Sequence, residues 1–270
     1  MYIICIMSCK AETAFVFDLD KTIGYFTQIA IFLEGIEEFI GRNLRIAEFF
    51  KLLDLYPAIF RPGIFNTFYY LMRLKKSNKC VKVLIYTNNI GPKSWVHHIR
   101  KYIEHKLQYR LFDRTIAAWK VGNVIYEKCR TTYNKTPKDL IRCGRLKKNS
   151  KIVFLDDQRH PDMFQENIFY IIVGGYHKDI LFKEMINTFL HSKLVYILKK
   201  NKKTNFTSFI LNFAQNDSSG FRYIERESKK KYRKNFILKA IKKYVKKSRF
   251  KKLTKKRRKN ILKKNKTRKI

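Results

Sequence analysis

The chain has 270 residues, with 60 Lys and Arg against 21 Asp and Glu and a net charge of +39. Hydrophobic residues make up 45% and aromatics 15%, enough apolar side chain for a packed core, so wholesale disorder is excluded. The charge favours polyanionic partners: nucleic acid, an acidic membrane face or acidic protein.

Near the start, the apolar run from Tyr2 to Met7 is about a third of the roughly 18–20 residues that a membrane span needs. No basic stretch precedes it as in a signal peptide. The expectation is no transmembrane segment and an intracellular protein, cytoplasmic or nuclear. Cys5, Cys9, Cys80, Cys129 and Cys143 form no CxxC pair, so reduced thiols are expected rather than a zinc site or bridges.

Four short apolar runs, at 14–17, 81–86, 151–155 and 169–173, read as buried strands. Helical patterns fall between them at 64–74, 93–106, 137–142 and 181–198. The alternation predicts an α/β fold with a mostly parallel, Rossmann-like sheet flanked by helices. An insert at about 24–60 follows the first strand. Its apolar residues recur near helical spacing, with Gly35 and Gly41 interrupting. The main domain is read as 1–192, a connecting segment as 193–227 and a basic tail as 228–270.

In such sheets ligands bind at the carboxyl ends of the strands. The first strand runs into Asp18-Leu19-Asp20-Lys21-Thr22. Two carboxylates on one turn serve as nucleophile and proton carrier, or hold a hard cation such as Mg2+. A solvated acidic turn has the same sequence. The second strand ends in Thr87-Asn88-Asn89, whose hydroxyl and amides suit a phosphoryl oxygen and equally suit a helix cap. Lys138 opens a helical stretch, where a lysine neutralises a phosphoryl group or lies on the surface. The third strand ends in Asp156-Asp157, an adjacent pair that needs a cation or donors to stay ionised.

Taken in order, these pieces resemble the haloacid dehalogenase-like superfamily. Phe17-Asp18-Leu19-Asp20-Lys21-Thr22-Ile23, Arg61-Pro62-Gly63 and Lys138-Asp139-Leu140 with Gly144-Arg145 resemble the RNA polymerase II C-terminal-domain phosphatases, or NLI-interacting-factor-like family. The resemblance covers roughly residues 12–192. It implies Asp18 as nucleophile through an aspartyl-phosphate and Asp20 as acid then base. Thr87, Asn88 and Lys138 would bind phosphate. Asp18, Asp20 through its carbonyl, Asp156 and Asp157 would surround Mg2+. Lys21 departs from the family's usual Glu, and Asp157 stands where the nearest phosphatases tend to have Asn. The helical insert and the Lys-, Asn- and Ile-rich composition are similar to homologues in large DNA viruses, for which a host-cell or virion location is implied.

The last 43 residues hold 23 of the Lys and Arg and no acid. Their sparse apolar spacing predicts an amphipathic helix that forms on a polyanion. Lys255, Lys256, Arg257, Arg258 and Lys259 read as a nucleic-acid or nuclear-localisation patch. His160, near Asp157, reads as an ordinary loop histidine. The functional expectation is a Mg2+-dependent phosphatase acting on a phosphoserine or phosphothreonine protein such as a polymerase tail. The alternatives are a nucleic-acid-end phosphatase tethered by the tail and a noncatalytic nucleic-acid-binding protein of the same fold. Tail deletion is expected to impair activity on nucleic acid alone, whereas equal loss on small substrates would point to tail-supported folding.

Overall fold

The computed structural model describes residues 12–198, 203–216 and 232–248. The Tyr2–Met7 run, Cys5, Cys9 and the Lys255–Lys259 patch lie outside the described residues. The chain is an α/β protein with a five-stranded parallel sheet flanked by helices, as in Rossmann-like folds. Its strands are β1 (Thr13–Phe17), β2 (Val81–Tyr86), β3 (Arg114–Ile116), β6 (Lys151–Asp156) and β7 (Ile168–Ile172), in the order β3-β2-β1-β6-β7. A small antiparallel pair, β4 (Lys120–Val121) and β5 (Val124–Ile125), follows β3.

The continuous apolar runs of the inner strands have one cause: both faces are covered. Phe15, Phe17, Val83, Ile85, Val153 and Leu155 belong to one core layer. Ala14, Val16, Leu84, Tyr86, Ile152 and Phe154 belong to the other, beneath α5 (Pro137–Gly144). In register, Phe17 pairs with Ile85 and with Leu155. The residues just past all three strands therefore emerge at one edge.

The insert contains two helices, α1 (Thr27–Ile40) and α2 (Ile46–Leu55). Gly41 ends α1 at φ 71°, a left-handed conformation that glycine adopts without steric cost. Gly35 does not interrupt the helix. A Cβ there would lie 3.0 Å from Ile210 and 3.1 Å from Phe213, so the glycine is the contact point for α7 (Lys203–Asn216). Beyond the insert come α3 (Ile64–Ser77) and α4 (Lys93–Leu107).

At the start of α2, the buried Glu48 carboxylate accepts from Arg42, Arg45 and the Tyr196 hydroxyl. Hydrogen bonds from Arg42 first, and then from Arg45, outweigh the burial penalty and hold its pKa well below the usual value. A depressed folded-state pKa stabilises the fold above the unfolded value and is lost as pH falls. Glu48→Gln should therefore lower Tm by several degrees at pH 7, with the gap to wild type closing as pH drops below about 4.5. Parallel thermal melts from pH 7 to pH 3 check this.

The expected helix at 181–198 is shorter. α6 (Phe182–Leu190) ends before Ser192, and Lys193–Ile197 is a 3-10 turn. The Ser192 hydroxyl donates to the Phe189 carbonyl and accepts from the Leu194 N–H, so it closes one helix and starts the next turn.

The described parts of the connecting segment and of the basic tail contribute to the same core. Phe206, Ile210 and Ala214 of α7 are buried against α1 and α6. Helix α8 (236–248) buries Ile237 and Ile241 and stacks Tyr244 on Phe169 of β7. Its other side is lined with exposed lysines, Lys239, Lys242, Lys243, Lys246 and Lys247. The amphipathic spacing was legible in the sequence. In the structure its apolar face covers the β7 edge of the sheet.

The expectation of reduced thiols fails at Cys129 and Cys143, which form a disulfide with their Cα atoms 5.3 Å apart. That separation lies within the span a bridge requires. Folding of the 126–136 loop onto α5 brings the two together. No helix among the described residues is long and apolar enough to cross a membrane.

Candidate active site

The site forms where β1, β2 and β6 end. Asp18 follows β1 directly, and its backbone N–H donates to the Leu155 carbonyl at 2.9 Å, continuing the ladder one step past the strand. Asp18 is thereby level with Asp156 at the end of β6. A buried lysine lies between them. Lys135 Nζ is 2.6 Å from Asp18 Oδ1 and 2.7 Å from Asp156 Oδ2.

This corrects the sequence reading, which assigned the lysine role to Lys138. Lys138 is exposed in the first turn of α5. Lys135 lies in the irregular segment just before that helix, among so many lysines that no local pattern marks it. Three devices hold its loop. Arg130 is buried and donates to the carbonyls of Thr87, Ala117, Tyr133 and Asn134. Asp139, wholly buried, accepts from the Thr131 N–H and hydroxyl. The Cys129–Cys143 bridge ties the loop to α5.

Asn88 differs from expectation as well. Its side chain accepts from Arg130 and donates to the Tyr133 carbonyl, so it anchors the loop and is not presented to a phosphate. Its neighbour Asn89 enters the site instead, donating from Nδ2 to Asp20 Oδ2 at 2.8 Å. Thr87 is buried at the end of β2 and accepts the Asn89 N–H at its hydroxyl. His160, read from sequence as a plain loop residue, has Nε2 3.1 Å from Asp156 Oδ2.

Asp18, Asp156 and Asp157 each offer a carboxylate oxygen, all within 4.8 Å of one another. The Asp20 side chain is not in that group, being turned to Asn89. The donors are all oxygen, which fits a hard cation such as Mg2+. The charge fits too. Asp18 and Asp156 are buried, Asp20 and Asp157 part-buried beside them, and Lys135 contacts Asp18 and Asp156.

Burial, opposed by Lys135 and reinforced by Asp156, raises the Asp18 pKa. Burial also raises Asp20, against the Asn89 hydrogen bond. It raises Asp157, with Asp156 adding to the effect. For Asp156 burial is outweighed by His160 and Lys135, and the net direction is down. Lys135 is the mirror case, where burial works against the charge and the two carboxylates overcome it.

The turn that carries Asp18 and Asp20 has Lys21 in the left-handed region at φ 58°, unusual for a residue with a Cβ. Arg61 secures it. Its guanidinium donates to the carbonyls of Lys21 and Thr22, and to that of Gly174 in the loop after β7. Thr22 Oγ1 in turn lies 3.4 Å from Asp157 Oδ1. Gly175 is close enough to Asp157 that a Cβ there would lie 3.2 Å from its Oδ2.

The C-terminal segment reaches this support. The Tyr232 hydroxyl donates to the Gly175 carbonyl and accepts the His177 N–H, while the Asn235 N–H contacts the Pro62 carbonyl. No family model matches the chain, and no curated protein or solved structure matches it either.

Proposed function

We propose that the chain is a Mg2+-dependent phosphomonoesterase of the haloacid dehalogenase type, similar to the C-terminal-domain phosphatases, acting through an aspartyl-phosphate on Asp18. The observation that carries this reading is the Asp18–Lys135–Asp156 bridge at the carboxyl ends of adjacent parallel strands, with Asp157 beside it and Asp20 on the same turn. Phosphoryl transfer needs little covalent chemistry from a protein beyond positioning and charge stabilisation.

In this reading Asp18 attacks phosphorus through its free carboxylate oxygen, and the ester oxygen leaves. Asp20, whose pKa burial raises, donates a proton to the leaving alcohol and then accepts one from the water that hydrolyses the intermediate. Lys135 orients Asp18 and offsets charge on the phosphoryl oxygens, with the Thr87 hydroxyl alongside. Asn89 holds the Asp20 carboxyl toward the site. Asp18, Asp156 and Asp157 would hold Mg2+, which supplies electrostatic stabilisation of the equatorial oxygens. The expected substrate class is phosphoserine or phosphothreonine protein.

The test is hydrolysis of para-nitrophenyl phosphate with Mg2+ and with EDTA, by wild type and Asp18→Asn. Turnover should require Mg2+ and should fall by about 10⁴-fold or more in the variant. Activity that persisted in Asp18→Asn would remove the covalent mechanism.

A further inference from the structure

Beside the site, the insert and the start of α4 border a partly open cavity of about 190 Å³. This is below the roughly 300–1,000 Å³ of sites that take up a whole small molecule, and suits part of a larger substrate. Phe49 of α2 and Trp95 of α4 line it with His98; the two aromatic residues are 2% and 8% exposed, and their rings lie 5.8 Å apart in edge-to-face contact. Glu34 and Glu37 of α1 also line it. Asn89, whose amide holds Asp20, belongs to the lining. One side chain therefore separates the cavity from the expected acid–base carboxyl.

The charge of this lining runs against the rest of the chain. Lys and Arg outnumber Asp and Glu 60 to 21, yet the described lining contains two glutamates and neither Lys nor Arg. Burial, followed by the neighbouring histidine and lysine charges, holds His98 below its ordinary pKa, so it adds no positive charge near neutrality. Burial raises Glu37, opposed by the Leu44 N–H, from which its carboxylate accepts at 2.7 Å, and by Arg42, and a cationic guest would act in the same direction as those two. The accessible margin of the Trp95 ring gives apolar cover for an aliphatic stem.

Resting on the phosphatase reading, we infer that this cavity is a substrate subsite for a Lys or Arg side chain close to the phosphorylated residue. The substrate class is then a phosphoprotein with a basic residue about one or two positions from the phosphoserine or phosphothreonine. A nucleic-acid end fits poorly, because its next phosphate would approach Glu34 and Glu37.

The test uses the full chain carrying Asp18→Asn, so that binding is read without turnover. Labelled phosphoserine peptides of equal length would carry Arg or Glu on either side of the phosphoserine, with affinity measured by fluorescence anisotropy. Nonspecific attraction to a chain of charge +39 favours the Glu peptides. The subsite predicts the reverse order, with an Arg peptide binding at least about tenfold tighter. Adding Glu34→Gln and Glu37→Gln together should bring that ratio to about one or below. Equal binding, a preference for Glu, or an Arg preference that survives the double change would each overturn the inference.

In the wild-type background, the same double change should leave para-nitrophenyl phosphate turnover within about twofold. That substrate has no group for the cavity. Absent turnover of this compound by wild type counts against the phosphatase reading, whereas the peptide ratio reports on the cavity separately.

Discussion

Lys135→Met should reduce phosphatase turnover by about 10²–10³-fold or more, the loss typical of removing one charged or hydrogen-bonding group aimed at the reacting centre. It should also destabilise the fold. The lysine side chain is 2% exposed, and the Asp156 and Asp18 side chains it joins are 1% and 8% exposed. Removing one partner of such a buried arrangement leaves uncompensated charge and costs about 3–5 kcal/mol. Methionine has a similar length, so the loss is of charge and donors more than of packing. Mg2+ should raise the Tm of Lys135→Met more than that of wild type, because a cation bound only to the folded state shifts stability by mass action. Lys138→Met is the control. Its exposed side chain should leave both turnover and Tm near wild type. Equal effects at the two positions would show that Lys135 has no special part in the site.

Ile241→Ala should lower Tm by about 10 °C, although Ile241 lies in a segment that composition marks as a solvated basic tail. The residue is fully buried, and an Ile→Ala change at such a site costs about 2–5 kcal/mol. Ending the chain at residue 231 should have a larger effect. It removes both buried isoleucines of α8, the Tyr244–Phe169 stack, and the Tyr232 hydrogen bonds to Gly175 and His177. Those bonds brace the loop that Arg61 ties to the Lys21–Thr22 turn. Para-nitrophenyl phosphate turnover should therefore fall by more than about tenfold. From sequence alone, tail deletion is expected to affect nucleic-acid activity only, and equal loss on small substrates is the sign of tail-supported folding. Tyr232→Phe keeps the ring contact with Tyr176 and isolates the hydroxyl, whose loss should cost about 1 kcal/mol. Unchanged Tm and turnover in the truncated chain would remove α8 from both the fold and the support of the site.

The strands were legible because their cause is local. A parallel strand covered on both faces has to be a continuous apolar run, and β1, β2, β6 and β7 were found that way to within a residue or two. β3 was missed because three residues at a sheet edge contain too little pattern. The helical insert was legible from apolar residues recurring near helical spacing. Gly35 was misread because a glycine that admits a neighbouring helix and a glycine that ends its own helix look alike in one dimension.

At the site, Asp18, Asp20, Asp156 and Asp157 could be read from the sequence because acids that directly follow buried strands emerge at one sheet edge. Thr87 was found on the same ground, at the end of β2. Lys135 could not be found that way. It lies on an irregular loop whose path depends on Arg130, Asp139 and the Cys129–Cys143 bridge, and none of those contacts is local to a strand or a helix. Asn88 and Asn89 are adjacent and chemically identical, and only the loop packed against Asn88 separates their roles.

The sequence by itself thus determined the sheet, its helical flanks and the carboxylates at the strand ends, because each depends on spacing within one element. Only the tertiary structure decided which lysine meets those carboxylates, which cysteines are joined and which part of the basic tail is core. Each of those depends on two distant segments meeting, and the free energy that favours the meeting is a property of the pair.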